Sequence, residues 1–111
     1  MAKIIVSERA IKKIAAFATT ECYGVVGLAP KTLYDRILRT IKIEEYESGV
    51  DVNVINNNNL EVTLFVILQE GTNILEIANT IVSQVSYKLK KILGIQNVDV
   101  NVVIKGIKGE K

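Results

Sequence analysis

The most constraining feature of the chain is an unbroken alternation in its second half. Leu60, Val62, Leu64, Val66 and Leu68 fall on every second position. Side chains alternate across a strand, so this period commits one face of a long strand to a hydrophobic core. Between them the partners change from Glu61 and Thr63 to Phe65 and Ile67, so the later part is expected to be covered on both faces. Upstream, Val50, Val52 and Val54 alternate with Asp51 and Asn53, and Asn56 to Asn59 form a polar turn. Asparagine tolerates the left-handed backbone of tight turns, so the pair reads as a hairpin whose second strand is central.

Gly71 ends that strand, and the period then changes to that of a helix. Ile74, Ile77, Ala78, Ile81, Val85, Leu89 and Ile92 form one apolar stripe, followed by Lys88, Lys90, Lys91 and Gly94 near the end. Basic residues in a last turn and a following glycine are a helix stop signal. Val98, Val100, Val102 and Ile104 alternate as a final strand, and the tail from Gly106 onward is expected to be loose.

The first half is less regular. Lys3 to Val6 is a short β-prone run. Ser7 can cap a helix spanning roughly residues 8–22, whose stripe is Ile11, Ile14, Ala15, Ala18 and Cys22, with Gly24 as its terminal cap. Val25, Val26 and Leu28 then read as a short buried strand. Pro30 opens a second helical pattern in Leu33, Ile37, Leu38 and Ile41. The stretch from Ile41 to Gly49 fits a fraying helix end or a strand equally.

Strand, helix, strand repeated twice is the ferredoxin-like order, here interrupted by residues 30–49. The expected fold is therefore α+β: a two-layer sandwich with a small mixed sheet and helices packed mainly on one face. A ferredoxin-like variant with an inserted helix is one form of it. Residues 1–107 are read as one domain and 108–111 as a loose tail. The length of 111 residues and the hydrophobic share of 49% suit one closed core without staples.

Chemistry is scarce. The chain has no histidine and one cysteine, which removes the commonest general base, histidine-dependent nucleophile systems and cysteine/histidine zinc sites. Cys22 lies on an apolar stripe and reads as a buried structural thiol. Glu44, Glu45 and Glu47 lack the spacing and glycine of a calcium loop and read as a solvated acidic face. The glycines match neither a phosphate loop nor a dinucleotide fingerprint. No catalytic, metal or cofactor residue is assigned, and the protein is read as a non-enzyme. One cysteine, no signal-peptide core and no membrane-length apolar run point to a cytoplasmic protein without direct membrane insertion.

Two surfaces remain. Lys88, Lys90 and Lys91, with Lys105, Lys108 and Lys111, are the only candidate nucleic-acid patch. A net charge of +2 gives little long-range attraction for phosphates, and a solvated helix end is the preferred reading. Tyr34 with Arg36 and Arg39, and Tyr87 with Lys88 and Lys91, lie off their helix stripes. Exposed tyrosine beside arginine is the composition of interface hot spots. Tyrosines closing the core edge with wet hydroxyls is the equal alternative.

The segments ECYGVVGLAPKTLYDRI, LEVTLFVILQEGTNILEIANTI and LGIQNVDVNVVIKGI resemble the alkaline-shock-protein family of bacterial envelope-stress proteins. The likeness runs from about Ile4 to Ile107 and rests on the order and spacing of glycine and aliphatic positions. Glu70 stands where a tyrosine is expected, and Arg36 where members often carry glycine. The resemblance implies a non-enzymatic cytoplasmic adaptor or scaffold linked to envelope stress or homeostasis. It also implies protein partners, among them a membrane-anchored protein, and homo-oligomers. The competing reading is a small RNA-binding module using the basic helix end.

Overall fold

The computed structural model describes residues 5–30, 48–56 and 58–109. In chain order it contains helix α1 (Glu8–Thr20), strand β1 (Val25–Leu28), β2 (Val50–Asn56), β3 (Asn59–Gln69), helix α2 (Ile74–Leu93) and strand β4 (Asn97–Lys108). The alternating run from Leu60 to Leu68 is the centre of the sheet. Its full length pairs in parallel with β4, from Asn59↔Asn97 to Gln69↔Lys108. Its other edge is shared end to end: β2 takes Asn59 to Leu64 and β1 takes Val66 to Leu68, both antiparallel. Among the described residues the sheet is thus mixed, with four strands and β3 inside it.

Both helices cover the same face. Leu60, Val62, Leu64, Val66 and Leu68 share one core cluster with Ile11, Ala15, Ala16 and Ala18 of α1 and Ile77, Ile81, Val85 and Leu89 of α2. Each fully buried Leu or Val here contributes about 1.5–3 kcal/mol of transfer free energy. The small residues of α1 let its backbone lie close to the layers beneath. This is the expected two-layer α+β arrangement.

Local chemistry explains the helix ends. The Ser7 hydroxyl accepts from the Ala10 N–H at 3.1 Å, and the Asn73 side-chain oxygen accepts from the Glu76 N–H at 3.1 Å. Both satisfy amides that have no partner inside the helix. Gly94 closes α2 in the left-handed conformation at φ +71°, its N–H donating to the Lys90 carbonyl. In the β2–β3 turn, Asn56 Oδ1 accepts from both Asn58 N–H and Asn59 Nδ2, each at 2.9 Å.

Several expectations are corrected. Ile5 and Val6 belong to no strand and are exposed, so among the described residues the chain begins with α1. β-propensity is realised only where an edge is available for pairing. Helix α1 ends at Thr20 with Glu21 as its cap. Gly24 instead turns the chain into β1 at φ +88°, and an added Cβ there would overlap Ile77 Cδ1. Val26 is exposed rather than buried. Gly106 to Lys108 are not loose but complete β4, with Lys108 C=O accepting from Glu70 N–H at 2.9 Å. The middle helix from Pro30, the stretch up to Glu47 and the acidic group Glu44, Glu45 and Glu47 lie outside the described residues, apart from Pro30 itself.

Candidate functional site

Helices α1 and α2 run antiparallel over the sheet, so the first half of α1 meets the last turns of α2. Between them lies an open, mainly apolar groove of about 400 Å³ lined by Ala10, Lys13, Ile14, Phe17, Ala18, Lys88 and Ile92. Ala10 and Ala18 leave the space. Phe17 and Ile92 are 44% and 58% exposed, large apolar side chains placed beside a depression rather than packed into the core. Lys13 and Lys88 make the polar rim.

Lys88 also closes one end of the groove. Its Nζ donates to Glu21 Oε1 at 3.0 Å, joining α2 to the end of α1. Beyond this pair lies a second, more polar cleft of about 310 Å³ lined by Ala18, Glu21, Cys22, Tyr23, Thr80, Gln84 and Lys88. Both charged side chains are well exposed, so the pair adds no more than about 1 kcal/mol. It orients Lys88 without locking it.

Of the tyrosine and lysines singled out on α2, Lys88 lines the groove, and Tyr87 and Lys91 lie on the same helix outside its lining. Tyr87 is exposed, and Lys91 Nζ lies 5.6 Å from its ring centroid, within cation–π range. Tyr87 and Lys91 are therefore brought together, while Lys88 turns to Glu21. Tyr34, Arg36 and Arg39 lie outside the described residues. The two residues that sequence reasoning missed are Phe17 and Ile92. Ile92 was expected on the core stripe, but the core instead follows Ile77, Ile81, Val85, Leu89 and then Leu93. Steps of three and four both fit a helical period, so the pattern alone could not choose between Ile92 and Leu93. Phe17 carried a signal: a large aromatic between the buried Ala16 and Ala18 that belongs to no stripe.

Cys22 is buried and its Sγ donates to the Ala18 carbonyl at 3.5 Å. Burial pushes its thiol pKa up, the Glu21 carboxylate adds to the rise, and the Lys88 ammonium opposes it. This is the reverse of what an attacking thiolate needs. Among the described residues no three acidic, cysteine or histidine side chains gather as a metal site, and no helix is long and apolar enough to cross a membrane.

Among the described residues the lysines considered for nucleic acid do not form one patch, and Lys111 lies outside those residues. The parallel β3–α2–β4 crossover places the end of α2 beside the start of β4, whereas Lys105 and Lys108 lie near its far end. The eight residue steps from Asn97 to Lys105 span roughly 26 Å of strand. Lys105 sits in a bulge between Ile104 and Gly106, its Nζ 5.7 Å from the Phe65 ring centroid. The sequence Gly24-Val25-Val26-Gly27 has the spacing of an RNA-backbone clamp, but Gly27 is buried in β1 opposite Ile67 and forms no free loop. Around Glu61 the sheet face away from the helices is polar: its carboxylate accepts from Asn53 Nδ2 at 3.5 Å and Asn101 Nδ2 at 3.2 Å.

A two-layer α+β domain with an apolar groove in its helix layer is thus defined, and the same fold is found among solved structures. Two variants of MamM-CTD superpose with a TM-score of 0.56 each, at 11% and 10% identity, covering 89% and 96% of this chain and 99% of theirs. At that identity the likeness concerns the fold alone. The chain belongs to the alkaline-shock-protein family, described by a cell envelope-related function, whose model matches residues 1–109. Relatives include the uncharacterized protein YloU of Bacillus subtilis (strain 168), 27% identical over 107 residues, covering 96% of this chain and 88% of the relative. The uncharacterized protein Spy1614 of Streptococcus pyogenes serotype M6 is 29% identical over 106 residues, covering 95% and 87%.

Proposed function

We propose that the protein is a non-enzymatic, cytoplasmic adaptor or scaffold in cell-envelope stress or homeostasis, acting through protein–protein contacts. The observation that carries this reading is the groove between α1 and α2, with Phe17 and Ile92 exposed at its walls. Concave apolar surface rimmed by charge suits the anchor side chains of a partner. Tyr87, Lys88 and Lys91 of α2 are the proposed polar contacts, and Tyr34, Arg36 and Arg39 are retained as a second proposed contact set. A membrane-anchored protein and further copies of the chain are the proposed partners. The raised pKa of Cys22 and the lack of histidine favour binding over catalysis.

Affinity capture of the tagged protein from crosslinked cells, with and without nuclease, tests the proposal. The expected result is a nuclease-resistant set led by a membrane protein or by the protein itself. A set dominated by RNA-binding proteins and lost on nuclease treatment would overturn it. So would a purified preparation that turns over a defined substrate and loses that activity when one named side chain is removed.

A further inference from the structure

We infer that the groove between α1 and α2 receives one amphipathic helix of a partner protein, with an apolar face flanked by Asp or Glu. The inference rests on the adaptor reading and identifies the chemistry of the partner. Its first support is shape. The groove runs between two antiparallel helices, with Ala10 and Ala18 among its lining residues and Phe17 and Ile92 exposed beside it. A third helix laid along such a seam presents side chains at steps of three and four to the walls, as helices do when bound in grooves. A volume of about 400 Å³ holds a few large side chains, and a lining that is apolar apart from Lys13 and Lys88 lacks the convergent polar groups that orient a cofactor.

The second support is charge. Among the described residues the ionisable groups lining the groove are Lys13 and Lys88, and Lys91 follows Lys88 by three residues on α2, against the Tyr87 ring. Glu21 is already engaged by Lys88 across the helices. An apolar partner face carrying acids on its flanks would meet Lys13 on one side and Lys88 with Lys91 on the other. Lys88 can accept a second carboxylate without a large penalty, because its exposed pair with Glu21 is weak. A basic helix would face like charge on both rims. A flat anionic bilayer would meet the lysines but leave the groove between them unfilled.

The test places a photo-crosslinking phenylalanine analogue at Phe17, at Ile92 and, as a reference, at Val103 on the sheet face away from the helices, in full-length protein in cells. Phe17, Ile92 and Val103 are all solvent-exposed, so the fold tolerates the replacement. The expected outcome is crosslinking from both groove positions to a segment with helically spaced apolar residues and flanking acids. A synthetic peptide of that segment should bind the purified protein, and Lys13→Glu with Lys88→Glu should weaken it at least about tenfold. Raised salt should weaken it as well.

Groove crosslinks to lipid, to a second copy, or to a segment without acids overturn the inference, as does peptide binding indifferent to charge reversal. Crosslinks confined to Val103 overturn it while leaving the adaptor reading standing. Protein crosslinks at none of the three positions also overturn it, and the affinity capture described above then decides the adaptor reading separately.

Discussion

Gly24 shows how one residue can hold two layers together. Its φ of +88° is one that residues with a Cβ rarely adopt, and the space a Cβ would need is taken by Ile77 of α2. Gly71 has a similar φ of +91° but nothing within 4 Å of an added Cβ. Gly24→Ala should therefore destabilise the protein by about 2–3 kcal/mol, through backbone strain plus displacement of Ile77. Gly71→Ala should cost only about 1 kcal/mol, from strain alone. Urea titrations of both variants measure the difference, and equal losses would mean that Ile77 yields freely. Sequence marked Gly24 as a helix cap and Gly71 as the end of a strand, but only the packing of Ile77 against Gly24 shows which of them excludes a side chain. Phe17 is the converse case, where side chains on either side are buried and the residue itself is left outside.

At the scale of elements, the caps make separable contributions. The Asn73 side chain satisfies the Glu76 N–H at the start of α2, so Asn73→Ala should lose about 1 kcal/mol. Asn73→Asp should retain it, because a carboxylate keeps the acceptor and favours the positive end of the helix. Thermal or chemical denaturation reads both, and an unchanged Asn73→Ala variant would show that water replaces the cap. The elements most legible from sequence were those with a long, unbroken period: α2, β3, and β4 over Val98 to Ile104. Less legible were elements whose existence depends on a distant partner. The run at Ile5 and Val6 has strand composition without pairing, while Gly106 to Lys108 have the look of a tail but are held by β3. A weak local preference becomes a strand or not according to whether a sheet edge reaches it. The groove was legible only in part. Tyr87, Lys88 and Lys91 stood out as charged and aromatic positions off the stripe, whereas its apolar walls depend on how two helices meet.

For the molecule as a whole, stability should be graded outward from β3, which is hydrogen-bonded along both edges and buried beneath both helices. Amide exchange should be slowest for Val62, Leu64 and Val66, approaching the limit set by global unfolding. Among the described residues β4 pairs only with β3, so its amides directed away from β3 should exchange faster by orders of magnitude. Hydrogen-exchange NMR would show this gradient, and equal protection on both sides of β4 would reveal a further strand against its outer edge. The helix layer carries the proposed docking groove on its exposed side, so binding can act on the surface without disturbing the sheet.

The tandem arrangement of β1 and β2 has a consequence for how such a domain can diversify. Ala29 N–H donates to the Phe65 carbonyl at 2.8 Å, and Phe65 N–H donates to the Gly49 carbonyl at 3.1 Å. The chain departs from the frame and rejoins it at the same residue, so both junctions are anchored whatever lies between them. For a flexible connection, doubling the length adds only about 0.6 kcal/mol of closure free energy. Phe65 is in this sense a docking port for interchangeable cassettes: lengthening or replacing the intervening sequence need not shift the register of β3, and a family built on this frame can change what it displays there while inheriting the same core.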